Sequence, residues 1–209
     1  ADNAIVNDQF TNLTNGDLTV VYNVTPVSAA GCAGDPLDVT LTVRPEPVMS
    51  ATLNDFTCSD QVSGITFNTN GTSIAAATYT INTITVAPGL TAAGGNATIG
   101  AGQADNAIAN DQFTNTSNGD LTVVYNVTPV SAAGCEGNPL DITLTVRPEP
   151  VMDPALDAPT CSGLVSGITF DTNGTSIAAA TYTINAITVD PALTAAVGNA
   201  TIGAGQADN

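Results

Sequence analysis

A shift of 103 residues carries this chain onto itself. Ala1-Asp2-Asn3 recurs as Ala104-Asp105-Asn106 and again as Ala207-Asp208-Asn209. Residues 1–103 align with 104–206 without a gap, agreeing at 84 positions and differing at 19. Six of the differences fall between Ala51 and Asp60, whereas Asn15 to Cys32 matches Asn118 to Cys135 throughout. Such a period is about three times that of ankyrin or tetratricopeptide units. It is the length of one small two-layer β-domain of about 100 residues. The chain is therefore expected to be a stretch of tandem array, opening and closing at the same phase, either mature or cut from something longer.

Alternation decides the secondary structure. Leu140, Ile142, Leu144 and Val146 hold every second position up to Arg147, as do Leu121, Val123, Tyr125 and Val127 before Pro129. A period of two puts one side chain in and the next out, the signature of a half-buried strand. Tyr79 and Ile81 are followed by Ile84 and Val86, a phase slip at Asn82-Thr83 that predicts a bulge. Val62 to Phe67 and Ile108 to Phe113 are weaker strand candidates. Turn signals at Asn70-Gly71, Asn118-Gly119 and Gly137-Asn138-Pro139 separate the runs. Only Ser73 to Ala77 and Leu90 to Ala93 lean towards helix. The expected class is all-β, with Tyr22, Tyr79, Tyr125, Leu144 and Val146 in the core.

Composition removes several kinds of chemistry. Nineteen acidic residues face two basic ones, Arg44 and Arg147, for a net charge of −17, and His and Trp are absent. Both basic residues being arginine, there is no lysine either. No Ser–His or Cys–His dyad, imidazole metal site, Schiff base or lysine clamp for phosphate can form. Nucleic acid and anionic membrane surfaces would be repelled. Uncharged stretches such as Thr72 to Pro88 are interrupted by Thr and Asn too often to read as membrane spans. With 43% apolar residues the chain nevertheless has material for a core.

Proline sets the expected boundaries. Pro45, Pro47, Pro148 and Pro150 cannot donate to a ladder and stiffen the chain towards polyproline II, which suits semi-rigid linkers. The expected division is 1–47 as the C-terminal half of one repeat, 48–57 as linker and 58–150 as a complete repeat. Residues 151–160 form a second linker, and 161–209 the N-terminal half of the next repeat.

Several of these runs resemble a known family. Thr57-Cys58-Ser59 and Ala77-Thr78-Tyr79-Thr80-Ile81 are similar to its opening, which usually carries Trp where Ile81 stands. Leu121 to Pro129, Gly134-Cys135-Glu136-Gly137 and Leu140 to Pro148 are similar to its close. The chain thus resembles the PKD-like, immunoglobulin-like repeats found in tandem in large secreted surface proteins of Bacteroidota-type bacteria, many of them adhesins. That resemblance implies β-sandwich repeats joined by Pro-rich linkers, an extracellular or cell-surface setting, and no catalysis.

Four cysteines, at 32, 58, 135 and 161, stand two per repeat without metal-ligand spacing, which favours disulfides in a secreted context. In an immunoglobulin-like sandwich whose first strand opens at Cys58, Cys135 would lie at the same end, in the loop between the last two strands. The expected bridge is Cys58–Cys135, with Cys32 and Cys161 pairing outside residues 1–209. Cys32–Cys58 is set aside because ~25 Å of strand and linker would separate them, against the ~7 Å a bridge allows.

Other candidates are weaker. Asp105, Asn110, Asp111, Asn115, Asn118 and Asp120 offer oxygen ligands for Ca²⁺, but lack the calcium-loop pattern and read equally as solvated turns. No other cofactor is expected. Asp111 with Glu136 is the one carboxylate pair considered for glycoside hydrolysis, and Glu136 is Ala33 in the other repeat. Sequons at Asn12, Asn23, Asn70 and Asn96 recur in the second repeat. The function expected is a structural, adhesive filament or stalk without catalysis, whose partner is itself, head to tail. That continuation is either covalent or by strand complementation. The alternative is a module binding surface polysaccharide, with or without Ca²⁺.

Overall fold

The computed structural model describes residues 4–207; the repeat markers Ala1, Asp2, Asn3, Asp208 and Asn209 lie outside the described residues. Eleven strands and no helix are assigned among the described residues. The first two, β1 (Leu18–Val24) and β2 (Leu37–Val43), form an antiparallel hairpin of their own. The central part holds β3 (Asp55–Cys58), β4 (Ala76–Val86), β5 (Leu90–Ala92), β6 (Gly100–Gln103), β7 (Phe113–Asn115), β8 (Leu121–Ser131) and β9 (Leu140–Arg147). Last come β10 (Tyr182–Ile184) and β11 (Gly203–Gln206), again a separate antiparallel pair.

Five of the central strands make one sheet in the order β3-β9-β8-β4-β6. All its neighbours are antiparallel except β3 and β9, which run parallel with Asp55 opposite Leu144 and Cys58 opposite Arg147. Alternation works as the residues dictate. Val123, Tyr125 and Val127 on β8, Ile142, Leu144 and Val146 on β9, and Tyr79 and Ile81 on β4 all point to one buried face. Across that face lie Ile65, Phe67, Ile108 and Phe113, from the segments before β4 and around β7. The rings of Phe67 and Tyr79 sit 5.0 Å apart, a tilted aromatic contact. The β4–β8 register shifts between Ile81 and Thr83, which places the bulge at the phase slip seen in the sequence.

Val62 to Phe67 does not become a regular strand. It runs beside residues 105–111 through scattered bonds, Ser63 N–H to Asp111 C=O (2.9 Å) and Phe67 N–H to Asp105 C=O (2.7 Å) among them. The two stretches that leaned towards helix are also extended: Leu90–Ala92 is β5, and Ala76 already opens β4. Their alanine content is outweighed by pairing, since β5 aligns with β7 and β4 with β8.

Near-identical sequence in unequal surroundings is the most informative feature of the fold. Residues 18–24 and 121–127 are the same heptapeptide. Between two neighbours the second copy extends to eleven residues as β8; with β2 alone the first stops at seven as β1. Leu144 is fully buried but its counterpart Leu41 is 41% exposed, and Phe113 at 2% faces Phe10 at 46%. Of the residues expected in the core, Tyr79, Tyr125, Leu144 and Val146 are buried there, whereas Tyr22 lies half-exposed on the open hairpin.

Candidate functional site

The segments expected to be linkers turn out to be the most built part of the surface. Pro45, Pro47 and Met49 are buried, and Met49 belongs to the central core. Val48 N–H donates to Ser73 Oγ (2.9 Å), Ser50 N–H to Asn68 C=O (3.0 Å) and Asn70 N–H to Val48 C=O (2.9 Å). Glu46 N–H donates to Asn12 C=O (2.9 Å) and Ile74 N–H to Thr14 C=O (3.1 Å), so the turn at 12–16 is tied across the joint. Asn12 organises that turn: its Nδ2 donates to Gly16 and Val43 carbonyls, both at 2.8 Å, and its Oδ1 accepts from Thr14. The loop between β8 and β9 closes the far side. A Cβ placed on Gly137 would run into the Pro47 carbonyl, so only a glycine admits this contact.

The second joint repeats these hydrogen bonds but not the burial: Pro148 is half-buried, Pro150 and Met152 are exposed. Val151 N–H donates to Ser176 Oγ (3.0 Å), Asn173 N–H to Val151 C=O (2.9 Å) and Asp153 N–H to Asp171 C=O (3.1 Å). Glu149 N–H donates to Asn115 C=O (2.9 Å) and Ile177 N–H to Ser117 C=O (3.1 Å). Each bond is the counterpart, 103 residues on, of one in the first joint. Where the repeats differ here, Ser50 to Asp153 and Asn68 to Asp171, only backbone atoms are used. Thr14 to Ser117 keeps the hydroxyl, which bonds Asn12 Oδ1 and Asn115 Oδ1 at the same 2.7 Å.

Correction of the domain starts follows. The central domain does not begin at Cys58 after a free linker at 48–57: Met49 fills its core, and Asp55–Cys58 is its first strand. Residues 151–160 carry no strand, yet Val151, Met152 and Asp153 are tied to residues 171–176 as their counterparts are. The same shift overturns the expected disulfide. Because β3 ends at Cys58, that residue sits opposite Arg147 at the far end of β9, while Cys135 precedes Leu140 at the near end. Seven steps of strand put them ~23 Å apart, well beyond the ~7 Å a bridge allows. Cys32, Cys58 and Cys161 are exposed free thiols, and Cys135 is a half-buried one.

The polar candidates serve the fold. Asp111 is buried, accepts from Tyr125 Oη (2.7 Å) and from Ala97 N–H (2.8 Å), and burial pushes its carboxyl pKa up. Burial first, then Asp111, raises the Tyr125 phenol far above its ordinary value. Asn115 reproduces the Asn12 turn, donating to Gly119 and Val146 carbonyls. Among the described residues no three His, Cys, Asp or Glu side chains converge. Asp111 bonds Tyr125 whereas Glu136 bridges Val130, five steps along β8 or ~17 Å. That exceeds the carboxylate spacing of glycosidases, about 5–10 Å. Of the sequons, Asn12 is buried and Asn96 is engaged with Gln112. Exposed Phe56 stacks under Arg147, 3.7 Å from guanidinium to ring centre. In the other repeat Phe56 is replaced by Pro159.

No signal short of three-dimensional pairing marks Gly137, Ser73 or Asn12 as joint residues, although all three recur in the repeat. The family profile of the PKD-like domain matches residues 1–47 and 57–150, breaking where the joint lies. No curated protein and no solved structure matches the chain. PKD-like domains are generally non-enzymatic and typically occur in extracellular proteins. Over two thirds of its length, then, this chain belongs to the PKD-like domain family.

Proposed function

We propose that the chain is a length of an extracellular structural stalk or filament, a series of rigid PKD-like spacers that carries adhesion away from a cell surface and performs no chemistry. The observation that carries this reading is the repeated joint: two successive junctions with matching hydrogen bonds and one set of side-chain caps. Stacked units whose interfaces repeat hold a constant geometry from one to the next. Acidic outward faces, with a net charge of −17, keep neighbouring shafts apart by repulsion. The resemblance to tandem repeats of bacterial surface adhesins agrees with this role.

Small-angle scattering on the 209-residue chain, with negative-stain images of a longer tandem, tests the reading. Straight particles of uniform width with one axial repeat per 103 residues are expected. A broad spread of angles between successive domains would overturn it.

A further inference from the structure

On the central domain, one stretch of sheet edge has the form of a ligand shelf. β3 is the edge strand of the five-stranded sheet, and its Phe56 points outward beside Thr145, its partner on β9. A period of two puts Thr143, Thr145 and Arg147 on that same outward face. The Arg147 guanidinium covers one side of the Phe56 ring, 3.7 Å from its centre, while Phe56 stays 54% exposed. The ring is one wall of a depression of about 510 Å³, completed by Asn54, Asp55, Thr143 and Thr145. Two of these side chains are fixed by the backbone. Asn54 Oδ1 accepts from Thr143 N–H (2.8 Å) and Asp55 Oδ1 from Phe56 N–H (2.8 Å). Asn54 Nδ2, Asp55 Oδ2 and the hydroxyls of Thr143 and Thr145 make no hydrogen bond to protein among the described residues. The depression thus offers a donor, an acceptor and two hydroxyls able to act as either, beside an aromatic wall that Arg147 steadies.

We propose that this depression binds a neutral hexopyranose unit of a polysaccharide, with the sugar's C–H face on Phe56 and its hydroxyls on Asn54, Asp55, Thr143 and Thr145. Charge selects the class. Arg147 and Asp55 offset each other locally, within a chain of net charge −17 that repels anions. The guanidinium already on the ring disfavours a second cation across it. What fits is an uncharged ligand rich in hydroxyls, with an apolar flank for the aromatic wall. Size agrees, because Thr143 and Thr145 stand two residues apart on one face, ~6.7 Å, about the width of one pyranose ring. β3 being an edge strand, the shelf is open on one side and a polymer can run past it.

The repeats treat the two halves of the site differently. Thr143, Thr145 and Arg147 recur as Thr40, Thr42 and Arg44, but Asn54, Asp55 and Phe56 are replaced by Asp157, Ala158 and Pro159. The strip on β9 is therefore common to the repeats, and the divergent stretch decides which repeat carries an aromatic shelf.

The experiment titrates the isotope-labelled 209-residue chain, followed by NMR, with laminarin, galactomannan, xyloglucan and dextran, and with polygalacturonate as the anionic comparison. At least one neutral polymer should shift the amides of residues 54–56 and 143–147, and polygalacturonate should shift none of them. Phe56→Leu keeps an apolar side chain but removes the aromatic face, and should weaken that binding about tenfold. Thr143→Val should weaken it as well. Phe10→Leu, at a similarly exposed ring elsewhere, should leave it unchanged. Unshifted amides of β8 in the unliganded variants show that each still folds. No shift with any of the four neutral polymers, shifts confined to other strands, an equal loss in Phe10→Leu, or tighter binding of polygalacturonate would each overturn the proposal. None of these outcomes bears on the straightness of the particles, so the spacer reading stands or falls separately.

Discussion

Gly137→Ala is the sharpest probe of the joint. Its new methyl group would meet the Pro129 ring at 3.0 Å and run into the Pro47 carbonyl. The ring contact has a twin elsewhere, because a Cβ on Gly34 would meet Pro26 Cγ at 3.1 Å without any linker carbonyl. Gly34→Ala is therefore a control that subtracts everything except the joint. Overpacking against backbone costs about 1–3 kcal/mol. The alternative is to release the linker, losing the bonds of Val48, Ser50 and Asn70, each worth about 1 kcal/mol. Either route weakens the closed joint by about 1–3 kcal/mol, a roughly 5- to 150-fold rise in its opening. Native-state hydrogen exchange reads it directly. The amides of Val48, Ser50 and Asn70 should exchange faster in Gly137→Ala by that factor, with those of β8 and β9 changed far less. Unchanged exchange at those three amides, or equal effects of Gly34→Ala, would refute the reasoning.

Leu144→Ala should cost about 2–5 kcal/mol, lowering the melting temperature of the central domain by more than 10 °C. Leu41→Ala, measured in dilute solution, should cost under about 1 kcal/mol, because that side chain is already 41% exposed. Tyr125→Phe leaves buried Asp111 short of a donor and should cost about 1–3 kcal/mol, against almost nothing for Tyr22→Phe on the exposed hairpin. Burial raises the carboxyl pKa of Asp111, and burial with Asp60 nearby that of Glu149. Between unfolded and folded values the folded state holds more protons, so stability falls as pH rises through that window, above about 4. Melting scans taken down from neutral pH into the carboxylate range should show a gain from these two groups, smaller in Asp111→Asn. Peptide mapping after mild oxidation should find no Cys58–Cys135 peptide, and a maleimide should label Cys32, Cys58 and Cys161 faster than Cys135.

Legibility followed pairing distance. β8 and β9 could be drawn from sequence because they are consecutive, joined by residues 132–139, and strict alternation marks their buried faces. The bulge at Asn82 was visible because a bulge breaks that same phase. β3 was hidden: in Asp-Phe-Thr-Cys the apolar Phe56 and Cys58 face outward and Thr57 is the buried one, and its partner β9 lies almost ninety residues later. Prolines misled for a related reason. Pro45 and Pro47 lack a donor wherever they sit, so a semi-rigid linker and a buried joint look alike until Gly137 and Ser73 are seen against them. The cysteine pairing inherited that error, since it assumed a strand starting where one in fact ends.

Met49, Gly137 and the turn at Asn12 turn a question of shape into one of iteration. If each unit is placed on its predecessor by one fixed displacement and one fixed rotation, the whole shaft obeys a single screw operation. Its pitch and handedness are then properties of about a dozen side chains. Angular error compounds along such a staircase, so a change of a few degrees at every step remodels the entire superhelix. The same change at a single step only bends it once. Sequence drift is gathered where it leaves the step untouched, on the exposed edge between Ala51 and Asp60.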